Sequence, residues 1–351
     1  MRIADALGLG SEDEALFSAY EIQLRRRLWY FVGILDTHAA LDRGSRPIIP
    51  IDAMGPAPLS VADADLIPGK VPIVLPGELN DMSFTSMIHD AVICQKRLCD
   101  VSSTLDDPWD GWQRKLESVT AFETSAHANC AAIGEDASPI HKLRALAAAE
   151  IAANMHILLR RPPYRPIQAV VPPWDHFAIL DAGIQVLERS LQKGSNYYIE
   201  WRWKSWAKWY ILAIVLAELS VCSHDRLLGP EYAIARRSFI AHRKLVADGE
   251  DGKLWGPITK LMTRVEQLRQ TAVESRREQL ASDDILAWDQ DQSTILTHAE
   301  GLDSFDTEGA NNLDAGDQTP AVDDSFFTYD PVAWQGWDSF LLDAYRFDGF
   351  G

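Results

Sequence analysis

Cysteine is scarce in this sequence. Four of its 351 residues are cysteine (Cys94, Cys99, Cys130 and Cys222), and no two form a Cys-x-x-Cys pair. Structural zinc sites are built from such close pairs, so the spacing excludes one of that kind. Cys94 and Cys99 stand about 140° apart on a helix and read as two packed thiols. No Gly-x-Ser-x-Gly, Gly-x-Gly-x-x-Gly, Walker loop or His-Glu-x-x-His occurs. Without them no recognisable frame exists for nucleophilic, dinucleotide, phosphate or zinc-protease chemistry, and the reading is of a protein that is not an enzyme. His141 and His156 have no second ligand at metal spacing. Asp63 and Asp65 lack the glycine and closing Glu of a calcium loop and read as solvated loop acids. The longest apolar run, 209–222, contains Glu218 and is shorter than the roughly 20 residues that span a bilayer. No membrane span is expected. The missing signal peptide and the scattered thiols predict a reducing intracellular compartment.

Basic residues are also scarce, and in one region above all. Residues 281–351 carry 16 Asp and Glu against Arg346 alone. Of a net charge of -18 they supply -15, which leaves -3 for residues 1–280. A nearly neutral body without a basic face is a poor DNA binder by itself.

What is present reads as helix. Leu24, Leu28, Phe31 and Leu35 make one apolar stripe on a helix opened by a Ser18–Glu21 capping box and closed by Gly44 and Pro47. A packed helix with a basic flank is predicted. The triplet Arg25, Arg26, Arg27 offers phosphate contact or an import signal on one reading. On the other it makes intramolecular ion pairs, with Glu21 one turn before Arg25. Ser11 and Glu14 form a second capping-box pattern. Prolines crowd residues 47–80, which predicts an extended surface segment. Helices follow over 82–131 (two, split at Asp106-Asp107-Pro108), 139–160, from Val171-Pro172-Pro173-Trp174 onward, 231–245 and 254–280. Between these, Trp201, Trp203, Trp206, Trp209 and Tyr210 open the most apolar helix of the chain, with Lys204 and Lys208 on its wet edge. Either these aromatics fill the core, or Trp203, Trp206, Trp209 and Tyr210 line a pocket for a small apolar effector.

The fold class expected is all-α, a multi-helix body over residues 1–280. A disordered acidic linker over 281–322 and an acidic-aromatic segment over 323–351 complete the chain. In the last, Phe326, Phe327, Trp334, Trp337, Phe340, Leu341, Leu342 and Phe347 alternate with aspartates. Mutual repulsion of the acids keeps such aromatics in water, available to a partner's groove, as in activation segments. The alternative is a segment docked on its own body.

Glu21-x-x-x-Arg25-Arg26-Arg27-Leu28-Trp29, then Asp36, then Arg43-Gly44-Ser45-Arg46-Pro47, resembles the signature helix of the fungal-specific transcription factor domain. That domain is the regulatory middle region of fungal zinc-cluster transcription factors. Residues 58–66, Leu158 to Tyr164, Trp203-Lys204-Ser205-Trp206 with Trp209 and Ala217-Glu218-Leu219, and Leu254 to Ile258 resemble later stretches of it, in order, so that the resemblance covers residues 1 to about 270. It implies an all-helical regulatory domain of a nuclear transcription factor, forming homodimers or pairing with a zinc-cluster partner. The tail would meet the transcription machinery or co-regulators. The family's six-cysteine zinc cluster has no counterpart here, so no cofactor is expected in this chain. Zinc and direct DNA contact belong to it by family only, through a missing N-terminal module. By the same resemblance further helices should precede Arg2. That implies either a longer natural product or a regulator that relies on a partner to read DNA. A ligand-sensing or interaction protein acting through such a partner is the second reading, and a helical enzyme a remote third.

Overall fold

A computed structural model describes residues 2–12, 15–74, 79–99, 108–131, 133–162, 171–204, 208–243 and 255–295. Among the described residues the regular structure is helical, with no β-strand. The order is α1 (Arg2–Ala6), α2 (Ala19–Asp42), α3 (Ser83–Cys99), α4 (Pro108–Cys130), α5 (Pro139–Arg160), α6 (Ile179–Lys193), α7 (Trp209–Leu219), α8 (His224–Leu228), α9 (Pro230–Arg243) and α10 (Trp255–Ile295). The all-α expectation holds. Short 3-10 turns at Ile51–Met54 and Asp63–Asp65 interrupt the proline-rich segment, which is otherwise irregular as its prolines require.

The ends of α2 are chemically fixed. Ser18 Oγ accepts the Glu21 N–H at 3.3 Å, and the Glu21 carboxylate accepts the Ser18 N–H at 2.8 Å. These reciprocal bonds hold the Glu21 carboxyl below its ordinary range. At the far end the Gly44 N–H bonds to Leu41 O and the Ser45 N–H to Ala40 O, with Gly44 at φ +61°. That paired closure needs a left-handed residue, which glycine adopts without a Cβ penalty. Of the Ser11–Glu14 pattern, Ser11 Oγ donates to Gly8 O, and Glu14 lies outside the described residues.

The core is built around α5, α6 and α7. Helix α5 lies between α4 and α6, with α3 also against it, and α6 packs on α7. Leu143, Met155 and Leu158 from α5, Val186 and Leu187 from α6, and Ile258, Leu261 and Val265 from α10 meet in one apolar cluster. On α7 the run Trp209 to Leu216 is buried without interruption. Each such Leu or Ile contributes about 1.5–3 kcal/mol by leaving water. The close approach of α6 and α7 depends on Gly183, where a Cβ would come within 2.5 Å of Val215 Cγ2. A smaller cluster of Ala4, Leu9, Trp29, Tyr30, Ile49 and Met54 joins α1 and α2 to the loop after α2.

Four expectations are corrected. The stripe Leu24, Leu28, Phe31 and Leu35 is exposed, at 42–51% of each residue's surface, while α2 buries Ile22, Trp29, Tyr30, Ile34 and Leu41. Both faces of α2 are apolar, and its inner one carries the polar groups that bond to neighbouring segments, so that face turns inward. Residues Trp201 and Trp203 do not open α7; they lie in a separate 3-10 stretch, Asn196–Lys204. Helix α6 begins at Ile179, after a turn at Pro172–Asp175 rather than within it. Helix α10 runs on to Ile295, past the compositional break at Leu280, through a stretch with no proline or glycine to stop it.

Candidate functional site

Most of the signature residues clamp the segments on either side of α2. Arg25 donates to Leu7 O at 3.0 Å and also to Gly8 O, and its guanidinium lies over the Phe17 ring. Glu21 therefore caps the helix rather than pairing with Arg25. Arg26 meets Glu12 through two bonds of 2.6 Å. Arg27 reaches Asp63 at 2.6 Å and Val61 O at 3.0 Å, so one expected solvated acid is an ion-pair partner. Trp29 Nε1 donates to Ala53 O. Asp36 is buried; it accepts the N–H groups of Ile48 and Ile49 and the Lys96 ammonium, each at 2.9 Å. Lys96 also donates to Ile49 O at 2.8 Å, so the buried ion pair has its remaining bonding capacity used. With Gly44 closing the helix, the motif has a structural role, pinning the chain before and after α2. Arg46 is exposed and Pro47 half-buried in the following turn.

A different constellation lies deeper. Glu150 on α5 is completely buried and carries two ammonium partners, Lys193 at 2.5 Å from the end of α6 and Lys208 just ahead of α7. Burial would raise the Glu150 carboxyl, but the lysine charges outweigh it and hold it below the ordinary value. Burial, with the charge of Lys208 beside it, pulls Lys193 down to about 8 against the support of Glu150. Burial likewise keeps His242 on α9 and His38 on α2 below their ordinary values, with the Lys208 charge adding to both. Asn154 Nδ2 donates to the buried Tyr210 hydroxyl at 3.0 Å.

A cavity of about 50 Å³ opens beside this cluster. Its polar lining is His38, Gln95, Lys193, Lys204, Lys208 and Tyr210; its apolar walls include Leu41, Phe84, Ile88 and Ile151. Lys204 stands over the faces of Trp203 and Phe84, 4.3 and 5.1 Å from the ring centroids. A second hollow of about 620 Å³ lies along α3 and α4, near Asp90, Arg97 and Arg144.

Of the aromatic pocket residues read from the sequence, Tyr210 lines the cavity. Trp209 is buried in the core and meets Tyr210 edge-on, while Trp203 is 72% exposed. Trp206 lies outside the described residues. The supposed wet edge is corrected outright: Lys208 is buried on Glu150. Sequence reasoning missed Glu150, Lys193, Lys208 and His38. The available signal was weak: one Glu inside the alanine-rich run of α5 and a Lys at each end of an apolar segment. Residues Phe326, Phe327, Trp334, Trp337, Phe340, Leu341, Leu342 and Phe347 all lie outside the described residues. Among the described residues no group of three or more His, Cys, Asp and Glu is placed to hold a metal ion. No described helix is long and apolar enough to cross a membrane.

Curated proteins similar to this chain are fungal transcription factors. The aurofusarin cluster transcription factor of Gibberella zeae is 20% identical over 263 residues, covering 72% of this chain and 39% of that protein. A C6 finger domain transcription factor of Aspergillus niger is 24% identical over 294 residues, covering 76% of this chain and 37% of that protein. Another from Arthroderma benhamiae is 24% identical over 276 residues, covering 76% and 38% respectively. The chain spans less than two-fifths of the length of these relatives. No family model matches it. No solved structure does either. Over 72–76% of its length, then, the chain is similar to fungal C6 zinc-cluster transcription factors, which supports a transcription regulator of that kind.

Proposed function

We propose that this chain is the regulatory and activating part of a fungal zinc-cluster transcription regulator. The observation that carries the reading is the similarity of most of the helical body to three such factors. In this proposal the body, residues 1–280, senses and transmits. Residues 296–322, after the end of α10, are a linker. The acidic-aromatic segment 323–351 engages the transcription machinery or a co-regulator. Work in the nucleus, without catalysis, and association with a second copy or a zinc-cluster partner belong to the same reading.

Four cysteines are too few for a six-cysteine cluster, so residues 1–351 hold no such zinc seat. The second reading is a co-regulator that acts on DNA through a partner. Fusing residues 281–351 to an unrelated DNA-binding module tests the activating part. Reporter activation that falls when Trp334, Trp337 and Phe340 become alanine is expected, and a silent fusion removes the claim. Co-purification of the full chain with a zinc-cluster protein at fixed stoichiometry would select the co-regulator reading.

A further inference from the structure

The buried cluster has more positive charge than it can neutralise. Lys193 and Lys208 share the single carboxylate of Glu150, and all three side chains are at least nine-tenths buried. Lys204 adds a third ammonium to the cavity wall and has no acidic partner among the described residues. The cavity lining contains no Asp or Glu. Asp42 is the other acid acting on the Tyr210 end of the cluster, and its effect there is weaker than burial. Lys193 and Lys208 are buried two to one carboxylate, an arrangement that a further anion would offset.

The cavity supplies the remaining elements of an anion site. Gln95 is a lining residue, 5% exposed, and its side-chain oxygen has no hydrogen-bond partner. The two ends of an amide are interchangeable on rotation, so Gln95 can also present its NH2 group there. The aromatic faces of Phe84 and Trp203 hold the Lys204 ammonium beside the opening rather than letting it extend into water. The same lining includes Leu41, Ile88 and Ile151, which would repel a fully hydrated ion but accept a short hydrocarbon. The volume, about 50 Å³, is room for a few water molecules or one carboxylate head with a short chain.

We propose that this cavity binds a small organic carboxylate, its head between Lys193, Lys204 and Lys208 and its chain against Phe84 and Ile88. The ligand halves the positive charge that Glu150 leaves unbalanced among the three lysines and joins α2, α3, α5, α6 and the start of α7 through one polar centre. Its use as an effector rests on the regulator reading above; binding itself does not. Calorimetric titration of the full chain with butyrate, butyramide and chloride separates the two questions, because no transcription is needed.

One saturable site for butyrate is expected, with affinity at least tenfold above butyramide and chloride, and lowered at least tenfold by Lys204→Met. Lys204 has no carboxylate to strand, so that variant keeps the core intact. Equal binding of butyramide, equal binding of chloride, or no heat with butyrate overturns the site. These three wild-type outcomes decide the matter without any variant. If butyrate binds but leaves reporter output unchanged, the site stands and its regulatory use falls.

Discussion

Helices α2 and α7 both carry apolar residues on more than one face, yet the fold treats them oppositely. Helix α7 is covered on almost every turn. Helix α2 leaves Leu24, Leu28, Phe31 and Leu35 in water and turns Gln23, Asp36 and Thr37 inward. The difference lies in hydrogen bonding. Along α7 the buried Tyr210 hydroxyl has Asn154, and most other inner groups are hydrocarbon. Along α2 each inward polar group has a backbone partner: Gln23 takes the Leu59 N–H, Asp36 those of Ile48 and Ile49, and Thr37 Oγ1 donates to Gly33 O. Satisfying these groups fixes the orientation of α2, because a buried polar group left unpaired costs about 1–3 kcal/mol. Hydrocarbon alone had two equivalent faces to offer.

Four substitutions at three places probe that contrast, beginning with the largest. On α7, Leu212→Ala opens a cavity at a fully buried position and should lower stability by about 2–5 kcal/mol in urea denaturation. A loss below about 1 kcal/mol would mean that α7 is not the centre of the core.

Under α2, His89 on α3 is buried against the Tyr30 ring at a centroid distance of 4.8 Å, with neither ring nitrogen hydrogen-bonded. Burial, assisted by the Arg27 charge, brings it down from 6.5 to about 4. Because the folded value is the lower one, the unfolded chain binds the proton first. The stability from the neutral ring is thus complete above pH 6.5 and lost as pH falls toward 4. This is about 3 kcal/mol across that window. His89→Leu should flatten the decline in melting temperature between those pH values, and an unchanged slope would assign it to other groups, His38 first.

On the outer face of α2 the smallest effect is expected. Leu28→Gln and Phe31→Gln should each change stability by no more than about 0.5 kcal/mol, since both side chains are half in water already. A larger loss in the full chain, together with a change in oligomeric state, would mean that this stripe is covered in solution. It would then join α7 as an interior surface.

Helix existence was readable from the sequence wherever caps and breakers agreed with periodicity. Ser18 with Glu21 at one end of α2 and Gly44 at the other each fix a boundary by local chemistry. The opening of α5 at Pro139 and the split before Pro108 follow from the same rules. Orientation was less readable. The stripe on α2 obeys the helical repeat without facing the core. Lys208, expected in water, is buried, because its partner Glu150 is distant in sequence and comes from another helix. The signature arginines show the same limit. Their bonds go to Leu7, Glu12 and Asp63, and only the folded backbone brings those groups within reach.

By itself the sequence determined a helical body, the caps that bound its second helix, a proline-rich irregular crossing and a tail of one charge sign. Each depends on interactions within a few residues or on composition. The tertiary structure decided which face of α2 is buried, that the signature motif clamps its neighbours, and that two lysines converge on one carboxylate while a third joins them at a cavity. Those outcomes require pairing between residues far apart in the chain, where burial makes each unsatisfied charge or hydrogen bond costly enough to select one packing over another.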